Sequence, residues 1–118
     1  MLPTTVESLF AFVKEPLELP EKELLTLLWD QVERDINSAG FSISNPPSIA
    51  LSDQVQQLLQ FLEELPSHAL PGLLYRIDVP ESALLSSMDG FQTLAWSILH
   101  REAIKVVLRL RYSWNHVV

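Results

Sequence analysis

The stretch from Phe91 to Leu110 constrains this chain most, because its first half is apolar on nearly every side of a helix. On a helical projection Ala95, Trp96, Leu99, Ala103, Val106, Val107 and Leu110 form one wide apolar face. Phe91, Leu94 and Ile98 lie on the opposite side. A helix apolar on two sides has to be packed on two sides. Residues Gly90 to about Tyr112, entered through a capping pair of Asp89 and Gln92, are therefore expected to be the central helix.

Prolines and glycines cut the rest into pieces of helical period. Thr4 and Glu7 have capping-box spacing ahead of a helix from Thr5 to Lys14, which Pro16 stops. From Pro20 to Ser38, Leu24, Leu25, Leu28, Trp29, Val32 and Ile36 share one face, and Gly40 suits the C-terminal cap. Asn45-Pro46-Pro47 lies in an ordered connector. A third helix is expected over Asp53–Leu65, capped by Asp53 and Gln56 and ended by Pro66. Gly72 to Val79 alternates like a strand but would have no partner, so it reads as a helical turn or extended linker. A short helix follows from the Asp78–Glu81 capping pair to Met88. The expectation is an all-α, single-domain, up-and-down helical bundle over residues 1–118, with four main helices and one short one.

The chain's 118 residues suffice for one domain with its own core, which must form without disulfides because cysteine is absent. That absence also removes thiolate metal sites and thiol nucleophiles. The start, Met1-Leu2-Pro3-Thr4-Thr5, has no basic region, and Glu7 interrupts the apolar run after it, so no signal peptide is read there. No run approaches the roughly 20 apolar residues of a membrane span. The expected location is cytoplasmic. A net charge of −7 argues against nucleic-acid binding, which needs excess cations for phosphate. The charge is uneven: residues 1–89 hold 14 acids and 4 bases, whereas residues 90–118 hold 1 acid and 4 bases.

The bases concentrate on the last helix. Arg101, Lys105 and Arg109 recur every four residues, with Glu102 beside them. As a solvated face the stripe would suit the helix C-terminus and pair with acids such as Glu33, Asp35, Glu63 or Glu64. As a docking surface, Arg76, Arg101, Lys105 and Arg109 would bind an acidic partner or an anionic ligand, and Trp114 would anchor an interface. A second grouping joins Tyr75, Arg76 and Asp78 to His100, Arg101 and Glu102, if the ambiguous segment lies against the last helix. It makes either a polar pocket or a set of structural pairs, with the Tyr75 ring buried. No His pair has metal-ligand spacing, and neither a nucleophile elbow nor a Gly-rich phosphate loop is present. No catalytic residue, metal or cofactor is expected.

The runs Leu74-Tyr75-Arg76-Ile77-Asp78-Val79-Pro80-Glu81 and Ile98-Leu99-His100-Arg101-Glu102-Ala103-Ile104-Lys105-Val106-Val107-Leu108-Arg109 resemble a small bacterial all-helical family without an assigned activity. The resemblance covers about the last 45 residues of the 118, implies a compact cytoplasmic protein and transfers no catalytic residue. The surplus of apolar residues, including Leu27, Phe61, Ile104 and Leu108 outside the main faces, points to a non-enzymatic interaction or adaptor module able to self-associate as a homodimer. The alternative is a small-ligand or anion binder using the basic stripe. A third possibility is an enzyme built on His100 and Glu102.

Overall fold

A computed structural model describes residues 5–10, 19–80 and 90–116, with side chains described as far as residue 111. The chain is an all-α helical bundle. Its helices are α1 (Val6–Leu9), α2 (Glu21–Ser38), α3 (Leu51–Glu64), α4 (Leu70–Ile77) and α5 (Gln92–His116), with a short 3-10 turn over Ser67–Ala69. The expected short helix up to Met88 and the stretch from residue 11 to Lys14 of the expected first helix fall outside the described residues.

The first helix starts one residue later than the Thr4–Glu7 spacing predicts. Thr5 caps it: its Oγ1 accepts from the Ser8 amide at 3.0 Å, and Ser8 Oγ accepts from the Thr5 amide at 2.9 Å. Leu9 then enters the core, fully buried.

Helix α2 matches its sequence signal. Its apolar face is buried, and Gly40, at φ 94°, turns the chain out of the helix. The Phe41 amide donates to the Ile36 carbonyl at 3.1 Å and the Gly40 amide to the Asn37 carbonyl at 3.0 Å, so carbonyls left open by the helix end are satisfied. Phe41 then packs edge-on against Phe61 of α3.

The connector is tied down by side chains. Trp29 Nε1 donates to Asn45 Oδ1 at 3.2 Å. Gln54, fully buried, donates to the Leu25 carbonyl at 2.9 Å and the Ile49 carbonyl at 2.8 Å. Helix α3 starts two residues before Asp53 and has no side-chain cap at Ala50. Asp53 instead sits in the first turn, where its charge suits the helix dipole, and accepts from Ser48 Oγ at 2.6 Å.

The ambiguous segment is a full helix, α4. Leu70, Leu73, Leu74 and Ile77 are spaced for one helical face, and all four are buried. Asp78 closes it in the left-handed region, at φ 72° and ψ 47°. The Val79 amide then reaches the Leu74 carbonyl at 2.9 Å, and the Val79 side chain covers that helix end. Strand-like alternation misled here because Leu73, Ile77 and Val79 fit a period of two as well as they fit a helix and its cap.

Helix α5 is the centre. It packs against α1, α2, α3 and α4 and runs four residues past the expected Tyr112. Leu94, Ala95, Ile98 and Leu99 are all fully buried, as the two-sided apolar pattern requires. Each large aliphatic among them contributes roughly 1.5–3 kcal/mol of burial. The contacts of Gln31 with Arg109 and of Asp35 with Lys105 show that α2 and α5 run antiparallel.

Candidate functional site

The basic stripe of α5 is paired along the α2–α5 and α4–α5 contacts, with Lys105 largely buried, Arg101 partly exposed and Arg109 exposed. Continuing the Leu94–Ile98 side of the helix, it meets acceptors from α2 and the end of α4, one per helical turn. Arg101 Nη2 donates to Asp78 Oδ2 at 2.8 Å. Lys105 Nζ lies 2.5 Å from Asp35 Oδ2, and Arg109 Nη1 donates to Gln31 Oε1 at 2.7 Å. Of the acids named as possible partners, Asp35 is used; Glu33, Glu63 and Glu64 form no ion pair with the stripe. Arg76, on α4, lies outside this seam and donates from Nε to Ser38 Oγ at 3.0 Å.

Glu102 stands not beside the stripe on the surface but inside the bundle, with no exposed area. Its helical neighbours Ile98, Leu99, Ala103 and Val106 are buried apolar residues. Lys105 Nζ, which pairs with Asp35 across the interface, is also 3.6 Å from the Glu102 Oε1. Burial, then the hydrogen bond with Asp35 and that residue's charge, push its carboxyl up to about 9, against the opposing pull of Lys105. Asp35 goes the other way. Its partial burial alone would raise it, but hydrogen bonds from Glu102 and Lys105, the Lys105 charge and a hydrogen bond from Gln31 hold it below the usual carboxylate range. Gln31 Nε2 supplies that last bond to Oδ1 at 3.2 Å.

The grouping of Tyr75, Asp78, His100 and Glu102 is not assembled as one pocket. Asp78 pairs with Arg101, while Glu102 is turned to Asp35. Tyr75 is 89% exposed, contrary to the expectation of a buried ring, because it projects from the side of α4 opposite Leu73, Leu74 and Ile77. It edges a hollow with Pro71, Leu74, Asp78, Val79 and Pro80 that contains neither His100 nor Glu102. The Trp114 side chain lies outside the described residues.

A second feature borders the seam. An open groove between α2 and α5 is lined by Leu27, Val106 and Leu110, with Asp30, Arg34 and Arg109 at its rim. Asp30 and Arg34 form no ion pair among the described residues. One turn before Arg111, Leu108 is 45% exposed, and Ile104 beside it is half-buried. Gln31, Asp30 and Arg34 were not singled out from sequence as site residues, although a signal existed for Gln31. Gln31 and Asp35 continue the Leu24–Leu28 row of α2, so two polar groups stand on an apolar face and require polar partners.

No group of three or more His, Asp or Glu side chains suited to a metal ion occurs among the described residues. None of the described helices is long and apolar enough to cross a membrane. Fold and site together define a small all-α bundle with a polar seam, buried at Asp35, Glu102 and Lys105, and an adjoining apolar groove. Compared with protein-family models, curated proteins and solved structures, the chain finds no match in any of the three.

Proposed function

We propose that this protein is a non-enzymatic interaction module that self-associates through the α2–α5 groove. The observation that carries the reading is the composition of the groove: an apolar floor of Leu27, Val106 and Leu110 under a rim bearing both signs of charge. A two-fold axis brings the same patch of two copies together. Asp30 of one copy then meets Arg34 or Arg109 of the other, and the two floors cover each other. The exposed Leu108 next to the groove adds apolar area on the same helix. The groove in a lone chain is open, which suits a surface covered by association.

The competing anion-site reading has less support, since Arg101, Lys105 and Arg109 already donate to Asp78, Asp35 and Gln31. An enzymatic reading on Glu102 is disfavoured by its complete burial.

Sedimentation equilibrium tests the proposal. The chain is expected to show a concentration-dependent dimer that Arg34→Glu weakens and the double change Arg34→Glu with Asp30→Arg restores. A monomer at every concentration up to the millimolar range overturns the reading. A dimer indifferent to both changes moves the interface elsewhere.

A further inference from the structure

We propose that Asp35 and Glu102 share a single proton across the α2–α5 interface, with Lys105 balancing the one remaining charge, so that the central contact of the bundle is a proton-dependent lock. This does not rest on self-association; the lock lies inside one chain.

The geometry leaves little alternative for the proton. Glu102 has no exposed area, and neither of its carboxyl oxygens accepts a hydrogen bond from any N–H. A carboxylate placed that way would have two buried, unsatisfied anionic oxygens. A neutral carboxyl needs one acceptor for its O–H, and the Asp35 carboxylate, which meets the same Lys105 ammonium as Glu102, is the neighbour that can serve. Asp35 is prepared for the role. Its Oδ2 faces the Lys105 ammonium and its Oδ1 accepts from Gln31, so its negative charge is held while Glu102 stays neutral. With one proton between the acids, the cluster of Asp35, Glu102 and Lys105 carries no net charge. When that proton leaves to solvent, two carboxylates face one ammonium and the interface holds a buried net charge of −1.

The surroundings do not offset that charge. On α5, Arg101 is engaged with Asp78, Arg109 with Gln31, and His100 lies two residues before Glu102. On α4, Arg76 donates to Ser38. The charged residues of α3 are Asp53, Glu63 and Glu64, and α1 carries Glu7. The groups acting on the pair are Lys105, Gln31 and its own two carboxyls. The raised affinity of Glu102 for its proton is the counterpart of this arrangement, burial contributing most.

Two measurements decide the matter. In the unmodified protein, carboxyl-carbon NMR is expected to show one glutamate still protonated at pH 7, assigned to Glu102 by its loss in Glu102→Gln. The Glu102→Gln variant keeps the donor toward Asp35 permanently. Its unfolding constant should match the wild type near pH 4.5, then fall below it by up to about tenfold for each pH unit above that. If Glu102 titrates with the exposed glutamates, or if Glu102→Gln is the less stable protein at pH 8, the shared proton is wrong. Should the variant fail to fold, the titration of the native chain, with the assignment made by sequential labelling, still decides.

Discussion

Lys105 of α5 reaches Asp35 of α2 with its Nζ 2.5 Å from Oδ2, and both side chains are largely buried, at 19% and 15% exposure. A predicted surface stripe thus has its middle cation inside a helix interface. A buried pair that loses one partner leaves the other charge stranded, at a cost of roughly 3 kcal/mol or more. Lys105→Met, which keeps the apolar stem, is therefore expected to destabilise by about that amount in urea unfolding at pH 7. A loss under about 0.5 kcal/mol, typical of exposed pairs, would show that the contact is solvated.

The two acids give stability opposite pH dependences. Glu102 has a raised folded-state value of about 9. Below its ordinary value both folded and unfolded chains hold the proton. Between that value and about 9 only the folded chain does, so stability falls as pH rises, by up to about 1.4 kcal/mol per unit. Asp35 is shifted downward, so its contribution is present above the ordinary aspartate value and is lost as pH falls through the folded-state one. Their joint contribution is greatest in the mildly acidic range, around pH 4–5. Urea unfolding from pH 3.5 to 8.5 checks this, and Asp35→Asn should flatten the acidic limb.

Asp78 does two separable things: it occupies the left-handed region at the end of α4 and it pairs with Arg101. Its side chain is 75% exposed, so the ion pair contributes at most about 1 kcal/mol. Asp78→Asn, which tolerates a positive φ, should cost less than that in thermal unfolding. Asp78→Val should cost clearly more, since a β-branched residue resists that backbone conformation. Equal losses for the two would mean that the ion pair, not the backbone, dominates.

Two leucines of the same helix should behave differently. Leu99 is fully buried, so Leu99→Ala is expected to cost about 2–5 kcal/mol through lost contact and a cavity. Leu108 is 45% exposed, so Leu108→Ala should change monomer stability by less than about 0.5 kcal/mol while weakening any dimer. Chemical denaturation of both variants, beside sedimentation of Leu108→Ala, separates the two roles.

Much of the bundle is legible along the chain, because local periodicity and punctuation specify helices directly. The row from Leu24 to Ile36 ending at Gly40 places α2 within a residue of its observed limits. Helix α4 is harder, since its eight residues satisfy two periods at once and only burial of Leu70, Leu73, Leu74 and Ile77 together distinguishes them. Capping is also local but degenerate. Neighbouring polar residues offered a cap one residue early at Thr4 and three residues late at Asp53, and the observed starts follow where Leu9 and Val55 reach the core.

The sequence by itself determined that the segment after Gly90 is a helix needing cover on two sides, since a 3.6-residue period turns apolar spacing into geometry. It also determined that Arg101, Lys105 and Arg109 share one stripe. Only the tertiary structure decided what that stripe faces. The antiparallel register of α2 on α5 sets Gln31 against Arg109 and Asp35 against Lys105, residues more than 60 positions apart, and encloses Glu102 among them. Charge along a chain is a local property, but whether a charge is solvated, paired or neutralised depends on which distant helix lies over it.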